Sequence, residues 1–201
     1  LAPSTDGHRL RDVLQEWAMR HVQTEMPGYF ANARSVVLGD ANHDGVVRIL
    51  RENTDNITFA DPLLRMDIPA RLNENPLLNA AADAAMMPLK LLPGIVKSRI
   101  NLPGLRLGEA MTRKAARDSD VVVATYHGLL KFGLEDLAGK TVISSAISEE
   151  RLTEFGDRGV DMVLDTTPQP FGVTVIDAVL EAMMLALVDG AGKLTNDDLL
   201  D

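Results

Sequence analysis

The chain has no cysteine, which excludes disulfide scaffolds, thiolate metal sites and cysteine nucleophiles and leaves the redox compartment open. It also lacks long basic runs: acidic residues outnumber basic ones 29 to 20, for a net charge of -9. Nucleic acid and anionic membrane surfaces are therefore not expected as partners. No clean apolar run of spanning length occurs. The nearest, "NPLLNAAADAAMMPLKLLPGIV" over 75–96, is interrupted by Asp83, Pro88, Lys90 and Pro93, whereas a spanning helix needs about 20 apolar residues. It reads as a kinked helical segment, buried or facing a partner, which makes a homo-oligomer one expectation. Several catalytic templates are missing as well: there is no G-x-S-x-G elbow, no H-E-x-x-H and no Walker lysine loop. His8, His21 and His43 have no evident metal partners, so no metal site is expected. Neither a charged n-region nor an apolar h-region follows Leu1, so no secretory signal is expected and a cytoplasmic setting is the default.

What is present is a globular chain of one domain, 1–201, since 201 residues at 46% hydrophobic content can bury a large core. Leu10, Val13, Leu14, Trp17 and His21 recur at helical spacing after a cap at Thr5 or Asp6, which predicts an opening helix that ends by residue 24, before "MPGYF". Five short runs rich in β-branched residues follow, at 35–40, 56–61, 120–125, 141–146 and 160–165. Each looks like a strand buried on both faces. Helical patterns lie at 42–53, 108–118 and 148–157, the last with Ser148 as N-cap and Glu149 and Glu150 in its first turn. Strand and helix in alternation imply parallel pairing with right-handed crossovers. The expected fold is therefore α/β, a doubly wound, mainly parallel sheet of five to six strands, Rossmann-like. Residues 62–119 show helical and proline-rich signals but no convincing strand, and predict a mainly helical insertion serving as lid, dimer interface or cover. Ile176, Val179, Leu180, Met183, Met184 and Leu187 form an apolar stripe predicted to pack on the sheet.

"VVLGDANHDGVVRILREN", residues 36–53, supports two incompatible functions. Asp40, Asn42, Asp44 and Gly45 spell the first half of a calcium loop. The bidentate acid that should close such a loop at its twelfth position is replaced by Arg51, however, and Glu52 is one residue late, roughly 100° away around a helix. The alternative is a nucleotide-binding βα turn: Gly39 ends the first strand, and the next helix aims its N-terminal N–H groups at a phosphate. Its glycine spacing lacks the middle close-approach glycine, and Asp40 and Asp44 repel a phosphate unless they are turned away. Asp61 ends the second strand 22 residues after Gly39, close to where an acid grips the ribose hydroxyls of NAD. Asp-Pro at 61–62 also serves simply as a turn. An acid here favours NAD over NADP, and Arg65 nearby tempers that preference.

In open α/β sheets ligands collect outside the carboxyl ends of the strands. The candidate cofactor-binding residues are thus Gly39, Asp40, Asn42, Gly45 and Asp61, with Thr125 and Tyr126 after the third strand, Ser144 after the fourth, and Thr166 and Thr167 after the fifth. His127 is the candidate proton acceptor for a hydroxyl being oxidised, or else a surface or helix-capping histidine. The expected partner is a small molecule or dinucleotide.

Four stretches, "STDGHRLRDVLQEWAMRHV", "RSVVLGDANHDGVVRIL", "SDVVVATYHGLLKFGLEDLAGKTVISSAISEERL" and "RGVDMVLDTTPQPFGVTVIDAVLEAMML", resemble a bacterial family labelled quinate 5-dehydrogenase. The resemblance implies a Rossmann-like domain that binds NAD or NADP, laid out like the cofactor half of shikimate and quinate dehydrogenases. It further implies an N-terminal substrate segment that this chain does not include. The Lys and Asp pair that shikimate dehydrogenases use on the substrate hydroxyl has no counterpart: "NTD" at 53–55 falls after the first βα unit. No catalytic residue is carried over. The chain is then either the cofactor domain of a dehydrogenase for a hydroxy acid or polyol such as quinate or shikimate, or a Rossmann-like scaffold without catalysis that senses ligands or binds proteins.

Overall fold

The computed structural model describes residues 5–38, 43–61, 65–69, 112–131, 137–167, 175 and 177–187. Within them the chain runs α1 (His8–Glu25), β1 (Ser35–Leu38), α2 (Asp44–Asn53), β2 (Ile57–Asp61) and β3 (Arg65–Pro69). Helical residues 112–118, here α3, lead to β4 (Val121–Val123), α4 (Tyr126–Lys131), β5 (Thr141–Ser144), α5 (Glu149–Asp157), β6 (Met162–Asp165) and α6 (Asp177–Leu187). The sheet order is β3-β2-β1-β4-β5-β6. β2, β1, β4, β5 and β6 are all parallel, and β3 is antiparallel to β2 at the edge. All five runs read as strands in the sequence belong to this sheet, so the fold is α/β and Rossmann-like.

The strands are β-branched and apolar because both faces are covered. Val37, Val121, Val123, Ile143 and Ile57 pack with Met19 and Val22 of α1 and Val46, Ile49 and Leu50 of α2. Their neighbours Val36, Leu38, Val122, Val142 and Ala60 face the other way, against Ala116 of α3, Leu129 of α4 and Phe155 of α5. Every residue of β1, β4 and β5 is buried, whereas β6, an edge strand, is only partly so.

Two expectations are corrected. The insertion at 62–119 contains a strand after all: Arg65–Pro69 pairs with β2 as a hairpin. Its alternation of Met66 and Ile68 with charged residues is short and ends in proline, a combination suited to an edge strand and easily missed. The rest of the proline-rich part, with the 75–96 segment, lies outside the described residues. The apolar stripe of the last helix is also divided. Leu180, Met184 and Leu185 pack on Leu10, Val13 and Leu14 of α1, while Val179, Met183 and Leu187 are exposed. Among the described residues the partner of α6 is thus another helix; Ile176 lies outside them.

Helix α1 is fixed from both sides. Its N-cap is Gly7, at φ 74, a left-handed conformation that glycine adopts freely. Thr5 and Asp6, read as the cap, act one step earlier, accepting the N–H groups of Gly7 and His8 at 3.2 and 3.1 Å. The free N–H of Leu10 donates to Glu181 Oε2 of α6 at 3.1 Å, and Thr5 Oγ1 donates to Glu181 Oε1 at 2.9 Å. Arg11 pairs with Asp177 at 2.7 Å. A buried carboxylate at a helix N-terminus answers both the unsatisfied N–H groups and the dipole. On the other side Gly45 of α2 meets α1 so closely that a Cβ would stand 2.3 Å from Asp12 O.

Two stability changes follow from these contacts. Gly45→Ala forces the helices apart and lowers unfolding free energy by about 1–3 kcal/mol. Glu181→Ala leaves the buried Leu10 N–H unsatisfied and costs about 1–3 kcal/mol. Urea denaturation of the two variants checks both, and unchanged midpoints would refute the close approach and the cap respectively.

Candidate functional site at the carboxyl ends of the strands

The strand order reverses between β1 and β4, which run outward to β2 on one side and β5 on the other. At such a point the connections leave the sheet in opposite directions and open a crevice outside the carboxyl ends. Thr125, Tyr126, Ser144, Thr166 and Thr167 all lie on this side, at the ends of β4, β5 and β6, and each is tied to neighbouring loops or helices by hydrogen bonds.

Thr125 Oγ1 accepts the Gly128 N–H at 3.1 Å and so caps the short α4. Tyr126 donates its hydroxyl to Glu154 Oε2 at 2.6 Å, its ring lies 4.0 Å from the Arg151 guanidinium, and it meets Phe155 edge-on. Arg151 in turn donates to the carbonyl of Ala146 at 2.7 Å. That loop is bound to the end of β6, because Asp165 accepts the N–H groups of Ile147 and Thr167 at 3.3 and 2.9 Å. Thr167 Oγ1 accepts the N–H of Ala146, which is itself in the left-handed region at φ 56. Thr166 donates its N–H and its hydroxyl to the Ser144 carbonyl at 2.9 and 3.2 Å. Ser148 caps α5, its Oγ accepting the Arg151 N–H. The Ser144 hydroxyl is fully buried and has no hydrogen-bond partner among the described residues.

The other candidates sit differently. His127 is exposed in the first turn of α4. Gly39, Asp40 and Asn42 lie outside the described residues. Gly45 is accounted for by the approach of α1. Asp61 ends β2 at the hairpin into β3, where its backbone pairs with Arg65; its side chain lies outside the described residues. Asp44, which would repel a phosphate if it faced the strand ends, is turned to α1: its carboxylate lies 3.7 Å from His8 Nε2.

The other ring nitrogen of His8, a residue read in the sequence only for metal partners, lies 3.4 Å from Asp12. The i, i+4 spacing of His8 and Asp12 on one helix face was a usable signal; the approach of Asp44, on another helix, was not. Burial raises the Asp12 carboxyl above its ordinary range, His8 pulls it back, and Asp44 pushes it up again.

The family model described as "Domain of unknown function (DUF8754)" matches residues 9–201. The chain belongs to this family. The match covers all of the sheet and every helix of this DUF8754 chain except the first residue of α1. No curated protein matches, and no solved structure does. Among the described residues, no helix is long and apolar enough to cross a membrane.

The Tyr126–Glu154 bond carries a pH signature. The hydrogen bond from Tyr126 holds Glu154 below its ordinary value of 4.5, with Arg158 assisting, and the same bond raises Tyr126 above its ordinary 10.0. A lowered acid contributes stability above 4.5 that is lost as pH falls through the lowered value. A raised phenol contributes below 10.0 and loses that contribution as pH rises through the raised value. Calorimetry should therefore show the Tm difference between the wild type and Tyr126→Phe widest at about pH 5–9 and closing at both extremes. A constant difference across pH would contradict the bond.

Proposed function

We propose that this chain is the NAD(P)-binding domain of an oxidoreductase that acts on a hydroxy acid or polyol, with quinate or shikimate as the named class. The observation that carries this reading is the reversal of strand order between β1 and β4, the point at which doubly wound folds bind dinucleotides. The cofactor's pyrophosphate would lie at the turn from β1 into α2, its ribose against Asp61, and its nicotinamide beside Thr125, Tyr126 and His127. Hydride transfer is the cofactor's chemistry; the protein supplies position and a proton acceptor, for which His127 is the exposed candidate. The turn of Asp44 toward His8 supports the reading, because it removes one negative charge from the phosphate's approach.

A second reading is favoured by a different observation. Tyr126, Thr125, Thr166 and Thr167 spend their hydrogen bonds on the chain itself, as they would in a scaffold without catalysis that senses ligands or binds proteins.

Isothermal titration with NAD and NADP, on the wild type and on Asp61→Ala, separates the two. The first reading expects one-to-one binding, tighter for NAD, and at least about tenfold weaker in the variant. Absence of heat from both nucleotides would discard it in favour of the second.

A further inference from the structure

We propose that His8, Asp12 and Asp44 form a binding site for a divalent transition ion, Zn²⁺ or Mn²⁺ in preference to Ca²⁺. One ring nitrogen of His8 and one oxygen from each carboxylate lie within 4.8 Å of one another. The contacts of His8 with Asp12 and Asp44, at 3.4 and 3.7 Å, are long for hydrogen bonds. They run from different ring nitrogens, Nδ1 to Asp12 and Nε2 to Asp44, so one of the two contacts is given up when the ring turns a nitrogen to the ion. His8 and Asp12 share a face of α1 at i, i+4, the spacing by which one helix offers two ligands to one ion. Asp44 comes from the first turn of α2, and the Gly45 approach to Asp12 O holds it against the other two without help from an ion.

A cleft of about 400 Å³ opens beside Asp12 and Asp44, with Val47, Arg48, Arg51 and Glu52 also in its wall. It gives an ion room for water or an anionic ligand on its outer side. Asp12 and Asp44 repel one another, and Arg48 and Arg11, which also act on Asp12, are shared with Glu16 and Asp177. The donor set selects among cations: Ca²⁺ takes six or more oxygens, whereas imidazole suits zinc and carboxylates suit manganese. Asp44, one acid of the half calcium loop read in the sequence, has His8 of α1 as a neighbour.

Titration of the whole chain near neutral pH with ZnCl₂, MnCl₂ and CaCl₂ separately, followed by calorimetry and by the shift in Tm, tests the site. The expected result is one-to-one binding of Zn²⁺ or Mn²⁺, at least about tenfold tighter than Ca²⁺, with a raised Tm. Asp44→Asn, which keeps the side chain's shape, and His8→Ala each weaken that binding at least about tenfold and abolish the Tm shift, with folding checked by circular dichroism. His21→Ala and His127→Ala leave it unchanged. Lack of one-to-one binding, Ca²⁺ binding tightest, or undiminished affinity in a folded Asp44→Asn would overturn the proposal and leave His8 as a simple bridge between two carboxylates.

Discussion

The constraint on which the molecule depends is that β1 pairs in parallel on both sides, with β2 and with β4. Parallel neighbours cannot be joined by a tight turn, so each connection must cross a face of the sheet. The crossover elements therefore cover both faces, which forces the strands to be apolar throughout and gives Ser35–Leu38 its complete burial. The same constraint sends the crossovers after β1 and β4 to opposite faces, with α2 in one core cluster and α4 in the other. The β2–β3 hairpin is the one departure among the described residues; it ends the sheet on that side with an antiparallel edge strand.

Around this sheet, α1 organises a second tier. It lies on α2 through Gly45 and receives α6 along Leu10, Val13 and Leu14, so an element near the end of the described chain closes over one near its start. Glu181 joins α6 to α1 chemically, because a buried carboxylate is tolerable only where N–H groups and a helix dipole meet it. The Gly45 approach holds the first turns of α1 and α2 together, and with them His8, Asp12 and Asp44. Residues far apart in the sequence thus face one another as a by-product of helix packing.

The carboxyl ends of β4, β5 and β6 show a different economy. Tyr126, Glu154, Arg151, Ala146, Thr167 and Asp165 form a continuous set of cross-ties. Such a network fixes the loops at these strand ends, and a rigid rim favours binding by leaving little to order when a ligand arrives. It also commits the side-chain groups that would otherwise address a ligand, so recognition there would fall to backbone N–H groups, to the far side of each hydroxyl and to exposed side chains such as His127.

The sequence by itself determined the class of fold, since runs such as "SVVL" and "VVV" between helical patterns have only one economical arrangement, parallel strands with crossovers. It also determined local events whose causes lie within a few residues, such as Ser148 capping α5. β3 escaped because Met66 and Ile68 give only two apolar positions, too few for a period to emerge. Among the candidate site residues, the sequence placed Thr125, Tyr126, Ser144, Thr166 and Thr167 at strand ends, because strand ends are local. Only the tertiary structure decided their partners, since Tyr126 and Glu154, or Thr167 and Ala146, are joined by sheet order and not by spacing. It likewise decided that Gly45 faces a helix, that the last helix leans on α1, and that His8 meets two carboxylates. Each depends on how separate elements approach in space, and that approach is set by packing across the whole chain and not by any short stretch of it.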